Sequence, residues 1–469
     1  MIISRLDIYR ISSYIIKDYL MTKDKAKAIK CQPRFEGIFE DAGQLNRKLL
    51  LTSGFDIRKS GELLRESLEK YSEGSFIMRL EKEISSYIGV KEAVATNSGM
   101  SAMHLAVKLA AKNTYGTDDL DGKRVFCSNL CHISQAMPIL YEKGTPVFID
   151  VDDISYGIDP ESLSNAFEIY PDVRIVIAGH LYGYPARIEE IRDICHEHDA
   201  ILIENASEGF GAGIYSKKCG SFGDMAVLDF GKDKIVSSEG GGMLLLNDTA
   251  KAQQVRQWLD ISDKKLPWGH YDEVSYDYRI SESSAAVILA QLKDIDELID
   301  RKKEIYTIYR ESLNEELLYM IEADEGSEPN YWMMPVMIDG SLEPQEVRTK
   351  NGYSYEDIHG TTSPMEIVDV LEAFGAEAAP FYMPMSMQPV FKSCELIGAY
   401  GVVEKCSAYE TDDRMFIEDN STGACRYGVC LPAMDDMTSR EQSVVVEVVH
   451  RCFDASGMAV SPLFDNSKR

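Results

Sequence analysis

Lys234 has the surroundings that most directly favour chemistry. It lies in Leu228-Asp-Phe-Gly-Lys-Asp-Lys-Ile-Val-Ser-Ser-Glu-Gly-Gly-Gly-Met243, where a short apolar strand leads into a loop and three glycines precede the next strand. A lysine at the end of a buried strand can lose solvation, and this frees its amine for Schiff-base formation. The glycines permit a close backbone approach. A solvated loop lysine is the commoner case on composition alone, so other parts of the site must decide.

A second candidate for a part of the functional site is the stretch Glu92-Ala-Val-Ala-Thr-Asn-Ser-Gly99, which predicts a short strand and a turn of small residues. Residues 100–111 follow and are rich in Ala and Leu, which predicts a helix. Backbone N–H groups at a helix start have no partner within the helix and suit a phosphate. Many α/β turns share this pattern, so the turn is a weak signal by itself.

The elements that must position these residues alternate between strand and helix patterns from residue 92 to residue 246. Residues 173–178 form an apolar run interrupted at Arg174, and such a run is typical of a strand buried on both faces. Residues 60–71 and 76–88 have helical spacing, and residues 283–314 form a longer helical stretch. Such alternation predicts a mostly parallel sheet covered by helices.

We divide the chain into three predicted parts. Residues 1–54 form an N-terminal extension of unknown role with three candidate helical stretches. Residues 55–300 form a large α/β domain, and residues 301–469 form a smaller α+β domain. The long helical stretch is expected to cross from one domain to the other.

The composition restricts the partners of the protein. The net charge of −28 repels nucleic acid and anionic membranes, so a phosphate-bearing ligand needs a local basic pocket. No apolar run reaches the length of a membrane span, and the first ten residues lack the apolar centre of a signal peptide. We therefore expect a cytoplasmic protein with neither nucleic acid nor membrane as partner.

The ten cysteines predict no metal site. Cys127 and Cys131 lie close together, and Cys425 and Cys430 form a looser pair. Neither pair has a second pair at the spacing of a zinc site. In a reducing cytosol, free buried thiols are the expected state.

Eight separate stretches, in order along the chain, resemble one known family. They are Arg79-Leu-Glu-Lys-Glu with Tyr87-Ile-Gly, Asn97-Ser-Gly-Met-Ser-Ala102, Pro146-Val-Phe-Ile-Asp-Val151, His180-Leu-Tyr-Gly-Tyr-Pro185, Ile203-Glu-Asn-Ala206, Gly220-Ser-Phe-Gly-Asp224, Tyr276-Asp-Tyr-Arg-Ile280 and Gln388-Pro-Val-Phe391. Over residues 55–453 the chain resembles the DegT/StrS family of aminotransferases, which depend on pyridoxal 5′-phosphate (PLP) and are best known for aminating nucleotide-linked keto-sugars. The resemblance implies the fold type I large domain, a mostly parallel sheet of seven-stranded type between helices.

The resemblance also assigns roles. The family's Schiff-base lysine falls on Lys234, because Gly241-Gly-Met243 matches the end of the family motif, whereas Lys232 would require an insertion. The family's phosphate-binding turn falls on Gly99, Met100 and Ser101. His132 stands where an aromatic ring usually stacks on the cofactor, and Glu208 stands where Gln or His usually lies near the ring hydroxyl.

Three residues depart from the family pattern at the cofactor. Asn205 replaces the aspartate that pairs with the protonated pyridine nitrogen, and an amide cannot balance that charge. Asp229 replaces a phosphate-binding serine, and Asp277 replaces an asparagine that reaches the phosphate from the partner subunit. A carboxylate about 4 Å from a phosphate costs about 4 kcal/mol per pair of unit charges at a dielectric constant near 20.

The resemblance predicts a homodimeric PLP-dependent aminotransferase that transfers an amino group, expected from glutamate, to a nucleotide-linked keto-sugar. Lys234 would form the Schiff base and then move protons as general base and acid. A related sugar dehydratase or lyase stays open because Asn205 weakens the electron sink. A third alternative is a non-catalytic binding or regulatory protein without PLP, in which Asp229 and Asp277 recognise a cation or an amine instead of phosphate.

Overall fold

A computed structural model of the chain describes residues 25–27, 29–30, 32–35, 45, 47–52, 57–69, 76–259, 273–340, 346–349, 352–355, 358–403 and 419–454. Its named α-helices are α1 (Ile57–Glu69), α2 (Phe76–Ile88), α3 (Gly99–Tyr115), α4 (Ile133–Tyr141), α5 (Pro160–Ile169), α6 (Ile188–Glu197), α7 (Thr249–Leu259), α8 (Glu282–Leu292), α9 (Ile295–Ser312), α10 (Pro364–Phe374), α11 (Asn420–Tyr427) and α12 (Ser439–Cys452). Its strands are β1 (Glu92–Thr96), β2 (Arg124–Ser128), β3 (Thr145–Ile149), β4 (Ile175–Gly179), β5 (Ile201–Asn205), β6 (Gly213–Ile214), β7 (Lys217–Lys218), β8 (Met225–Asp229), β9 (Gly242–Leu246), β10 (Leu318–Met320), β11 (Ser327–Glu328), β12 (Met334–Ile338), β13 (Glu346–Thr349), β14 (Gly352–Tyr355), β15 (Ala379–Pro380), β16 (Glu395–Gly398), β17 (Gly401–Val402) and β18 (Gly428–Leu431).

The central sheet has nine described strands in the order β1-β9-β8-β5-β4-β2-β3-β16-β17. Strands β8, β5, β4, β2, β3 and β16 run parallel to one another. Strand β9 is antiparallel to both β1 and β8, and β17 is antiparallel to β16. The mostly parallel α/β fold predicted from the sequence is therefore confirmed, and β16 and β17 extend the expected seven-stranded type.

Strand β4 shows why the sheet carries apolar residues on both faces. All five of its residues are buried. Ile175 and Ile177 pack into a core shared with helices α3 and α4, whereas Val176 and Ala178 pack into one shared with α5 and α6. Successive side chains of a strand point to opposite faces, so a strand between two helical layers is apolar throughout. The apolar residues at 175–178 have this origin.

Two strands of the sheet end in residues predicted for the site. Asn205 is the last residue of β5, and Asp229 is the last residue of the neighbouring parallel strand β8. The carboxyl ends of parallel strands meet at one edge of the sheet, where ligands of α/β proteins usually bind. The fold therefore places both residues at the edge where a site is expected.

The helical stretch predicted at residues 283–314 is two helices. Helix α8 ends at Leu292 and helix α9 begins at Ile295, with Lys293 and Asp294 between them. Helix α8 packs against α1 and α2, whereas α9 packs against α12. The break allows the chain to leave the large core and to join the C-terminal part.

The C-terminal part contains an antiparallel sheet in the order β10-β12-β18-β15, with α9, α10 and α11 packed against it and α12 packed on α9 and α10. The predicted boundary assigns residues 395–402 to the smaller domain, but β16 pairs with β3 of the central sheet and β17 pairs with β16. The domain boundary at residue 300 stays a prediction, and the β16–β17 hairpin belongs to the central sheet although it lies after that boundary. No described helix combines the length and the apolar character that crossing a bilayer requires.

Described pieces of the N-terminal extension pack on the C-terminal part. Arg34 forms a buried ion pair of 2.6 Å with Glu366 of α10 and donates to the backbone carbonyl of Cys452. Leu49 forms a parallel bridge with Ala376, just after α10. Most of residues 1–54, with most of the three candidate helical stretches, lies outside the described residues.

Candidate active site

The amine of Lys234 is enclosed by protein. Lys234 lies in the loop between β8 and β9, and its relative exposure is 4%. Its Nζ lies 3.4 Å from Oε1 of Glu208 and 4.0 Å from the centre of the Trp332 ring. Lys232, two residues earlier in the same loop, is exposed. Burial therefore favours Lys234 over Lys232 as the amine of the site.

Both ends of this loop contact the turn that begins helix α3. The Gly99 N–H donates to Oδ1 of Asp229 at 3.1 Å, and Ser98 forms a bridge with Gly241. A Cβ atom on Gly242 would lie 2.3 Å from the carbonyl oxygen of Ser98, so only glycine permits this backbone approach. The structure therefore brings the Lys234 loop against the predicted phosphate-binding turn.

Glu208 organises the lysine end of the site. It is buried in the loop after β5, and its Oε2 accepts from the Tyr182 N–H at 2.9 Å. Its Oε1 faces Lys234 and also accepts from the Tyr382 hydroxyl at 3.0 Å. Burial, followed by the charge of Glu208, raises the pKa of Tyr382 well above its usual value. Tyr382 thus stays a hydrogen-bond donor to Glu208.

Two further residues hold this arrangement in place. The Asn330 amide donates to the carbonyl oxygens of Glu208 and Phe210 at 2.8 and 2.9 Å and fixes the loop that carries Glu208. The Trp332 indole donates to the carbonyl of Asp233 at 2.7 Å, which holds its ring beside Lys234. Sequence reasoning missed Tyr382, Asn330 and Trp332, because they lie far along the chain and outside the stretches that resemble the family.

A chain of hydrogen bonds fixes the orientation of Asn205. The Gln135 amide nitrogen donates to the Ile177 carbonyl at 3.2 Å, so the Gln135 oxygen accepts from Nδ2 of Asn205 at 2.9 Å. The Asn205 oxygen accepts from the Ser207 hydroxyl at 2.6 Å. One of the two hydrogens on Nδ2 is thus used, and the other can be donated to a ligand. Asn205 is therefore oriented as a donor.

The predicted phosphate-binding turn is a capped helix start. Ser98 is the N-cap of α3, and its side chain accepts from the Ser101 N–H at 3.1 Å. The Ser101 hydroxyl donates to Oδ1 of Asn97 at 2.6 Å. The sulfur of Met100 accepts from the Tyr141 hydroxyl at 3.3 Å. The side chains thus shape the turn, and the backbone N–H of Gly99 points to Asp229.

His132 and Asp277 are the most exposed of the predicted cofactor residues. His132 is the N-cap of α4, and its ring centre lies 6.0 Å from that of Tyr382, so it borders the lysine end. Oδ1 of Asp277 lies 3.7 Å from Nε of Arg279. The Asp277 carbonyl accepts from the Asn97 amide at 3.3 Å. Asp277 therefore lies beside the turn of its own chain, with its carboxylate exposed.

A buried cluster beneath the site serves the fold. The ligand atoms of His180, Glu204 and Cys219 lie within 4.8 Å of one another. Glu204 already accepts from the backbone N–H groups at residues 220, 222 and 223 and from His180, and the Ala186 N–H donates to His180 Nδ1. Although burial raises the pKa of Glu204, these hydrogen bonds hold it below its usual value. We interpret the cluster as a structural network.

Three features together define the class of fold type I PLP enzymes. They are a mostly parallel sheet, an enclosed lysine after one of its strands, and a helix start that contacts the lysine loop. The chain belongs to the DegT/DnrJ/EryC1/StrS aminotransferase family, whose profile matches residues 57–450.

Individual relatives agree with this assignment. The "Putative pyridoxal phosphate-dependent aminotransferase EpsN" of Bacillus subtilis is 30% identical over 81% of this chain and 88% of its own length. The "GDP-perosamine synthase" of Vibrio cholerae is 26% identical over 68% of this chain and 80% of its own length. The solved structure of DesI with its TDP-sugar product has a TM-score of 0.70, at 21% identity over 90% of this chain and 97% of that one.

Family membership confirms the predicted relationship, fold class, enzyme class and PLP dependence. The roles of the individual site residues stay predictions, although the structure brings Lys234 and Glu208 into contact and places Asp229 against Gly99.

Proposed function

We propose that this protein is a PLP-dependent aminotransferase that transfers an amino group to a nucleotide-linked keto-sugar. The observation that carries the proposal is the buried Lys234 amine, 3.4 Å from Glu208, in a loop with both ends against the helix start. The names of the relatives, GDP-perosamine synthase among them, support the substrate class.

The described residues offer the donor set that PLP requires. An enclosed amine suits the aldehyde, the Asn205 N–H suits the ring nitrogen, and the backbone N–H groups of Gly99 and Met100 at the start of α3 suit the phosphate. Asp229 is the exception at the phosphate end. When bound, PLP supplies an electron-withdrawing ring that makes the carbon bearing the substrate nitrogen acidic.

In this proposal, different residues of the chain transfer the proton, position the amine and exclude water. Lys234 Nζ holds and moves the proton, while Glu208 keeps the amine in position through Oε1. Because Tyr382 donates to the same oxygen, Glu208 is shared between two partners and holds Lys234 less firmly. Trp332 covers one side of the amine and excludes water from it.

Asn205 keeps sugar dehydration as a second candidate function. Its N–H can hydrogen-bond an unprotonated ring nitrogen, but it cannot balance a protonated one. The ring would withdraw electrons less strongly than in a site with aspartate. Product analysis separates the two reactions: transamination gives an amino-sugar, whereas dehydration gives a deoxy-sugar.

The remaining assignments are parts of the same proposal. Glutamate is the expected amino donor, and the protein is expected to work as a cytoplasmic homodimer. The exposed carboxylate of Asp277, beside the turn of its own chain, is available to a second subunit. Sedimentation as a monomer at micromolar concentration would contradict the dimer.

The proposal is tested by the absorbance of the purified protein with PLP. In the difference spectrum against PLP alone, we expect a visible or near-ultraviolet band that is absent in Lys234→Ala and present in Lys232→Ala, because Lys232 is an exposed lysine of the same loop. Mass spectrometry after borohydride reduction should place the cofactor on the peptide that contains Lys234. A wild-type protein whose spectrum in millimolar PLP does not differ from that of PLP alone would refute the function.

A further inference from the structure

Asp229 occupies the helix end to which the proposed function assigns the phosphate. Its Oδ1 accepts from the Gly99 N–H at 3.1 Å and from the Gly231 N–H at 3.2 Å. Gly99 is the first residue of α3, a helix of 17 residues with positive partial charge at this end. The protein thus supplies its own anion at this position.

The contact between Asp229 and the turn is tight. A Cβ atom on Gly99 would lie 2.5 Å from Cβ and 2.8 Å from Cγ of Asp229. The side chain is therefore packed against the turn, and its carboxylate is held between two backbone donors. A ligand phosphate that uses the Gly99 N–H has to displace this carboxylate or to share the donor with it.

We propose that Asp229 is an internal competitor for the cofactor phosphate, so that the site binds PLP more weakly than it would without this carboxylate. This inference rests on the proposed function. Two anions beside one donor repel each other, and displacement of Asp229 removes two hydrogen bonds from a carboxylate. The effect concerns the phosphate end, because the Asp229 carboxylate accepts from the backbone of the turn, whereas the Lys234 amine at the aldehyde end faces Glu208.

The test compares two ligands, PLP and pyridoxal, which lacks the phosphate. Each is titrated against wild type, Asp229→Ser and the control Asp248→Ser, with absorbance as the readout. Asp248 accepts from the N–H groups of Ala250 and Lys251 at the start of α7, so its replacement removes a similar cap at another helix. We expect Asp229→Ser to tighten PLP binding by about tenfold or more and to leave pyridoxal binding unchanged within about threefold.

A second measurement uses inorganic phosphate and the PLP-free protein. Millimolar phosphate should raise the melting temperature of Asp229→Ser but not that of wild type or Asp248→Ser. Without ligand, Asp229→Ser should melt below wild type, because the Gly99 and Gly231 donors lose their acceptor.

The outcomes separate this inference from the proposed function. If wild type forms the Lys234-dependent band and binds PLP as tightly as Asp229→Ser, the competitor role is wrong and the proposed function stands. Equal tightening of PLP and pyridoxal would also refute it, because the effect would not be specific to the phosphate. If neither protein forms the band, the proposed function fails, and the phosphate-dependent melting temperature still decides what Asp229 does at the helix end.

Discussion

The two ends of the candidate site satisfy their charges in different ways. At the lysine end, the side chains of Lys234 and Glu208 face each other in a buried environment, and Tyr382 donates to the same carboxylate. At the phosphate end, the carboxylate of Asp229 is satisfied by the backbone N–H groups of Gly99 and Gly231. The first end keeps an amine beside a shared carboxylate, whereas the second already holds an anion.

This difference predicts that the reactivity of the lysine and the affinity for the cofactor phosphate are set by different residues of one site. We predict that the lysine end follows the family pattern at Lys234 and that the phosphate end departs from it at Asp229. We therefore expect substitutions at the lysine end to change the rate of amino transfer, and substitutions at the phosphate end to change cofactor binding and stability.

The largest expected effect is the loss of amino transfer in Lys234→Arg. Arginine keeps the charge beside Glu208, but its guanidinium does not lose a proton in proteins. We expect the rate to fall by about 10³-fold or more, with a melting temperature close to that of wild type. Steady-state kinetics and thermal unfolding measure the two quantities. Retained activity would remove Lys234 from the mechanism.

The next largest effect concerns Glu208. In Glu208→Gln the buried partner of Lys234 loses its charge, and we expect kcat/KM to fall by about 10- to 100-fold. Tyr382→Phe removes one hydrogen bond to the same oxygen, so a smaller fall of about two- to fivefold is expected. A larger loss in Tyr382→Phe than in Glu208→Gln would mean that the tyrosine acts on the substrate.

The pH dependence of kcat tests whether Tyr382 loses a proton during the reaction. Because burial and the Glu208 charge raise the pKa of Tyr382 well above its ordinary value of 10.0, the phenol stays protonated as pH rises through that value. We therefore expect wild type and Tyr382→Phe to share the same alkaline limb of kcat. A limb that disappears in Tyr382→Phe would show that the tyrosine loses a proton in the working range.

At the phosphate end, Gly242→Ala should reduce stability. Its Cβ would lie 2.3 Å from the Ser98 carbonyl oxygen and 2.6 Å from the Gly99 nitrogen, so the turn has to shift. We expect a loss of about 1–3 kcal/mol in the free energy of unfolding. Gly340→Ala is the matched control, since a Cβ atom at that position would have no described atom within 4 Å. Urea denaturation compares the two, and equal stability would contradict the close approach.

The smallest effect is expected from Asp277→Asn. The carboxylate is exposed beside Arg279, and exposed ion pairs contribute about 0–1 kcal/mol. Stability should therefore change by less than about 0.5 kcal/mol. If a second subunit brings this residue to the phosphate, PLP affinity should rise a few-fold in the dimer. Unchanged affinity would exclude Asp277 from the cofactor site.

Local patterns in the sequence predicted much of the fold. The four-residue spacing of Phe76, Leu80, Ile84 and Ile88 predicted helix α2 with its bounds, because one helical face is buried. The strand, turn and helix around Gly99 were also predicted, because β1 and the start of α3 lie within one short segment of the chain. Helices and turns of this kind form from residues that are close in sequence, so the spacing of apolar residues is enough to predict them.

The break between α8 and α9 was not visible in the same way. Residues 293 and 294 carry no proline or glycine, so the sequence predicted one continuous helical stretch. The helices separate because they pack on different parts of the molecule, α8 on α1 and α2 and α9 on α12. The hairpin at residues 395–402 was missed for a similar reason, because its partner β3 lies far away in sequence.

The sequence by itself determined the class of fold, and it predicted the lysine of the site and the three departures at Asn205, Asp229 and Asp277. Only the tertiary structure decided what surrounds them: the Tyr382 hydroxyl on Glu208, the Trp332 ring beside Lys234, and the carboxylate of Asp229 on the Gly99 N–H. The physical reason is that a residue's type and its local spacing are written in the chain, whereas its partners come from segments that meet only when the sheet and the C-terminal part pack together.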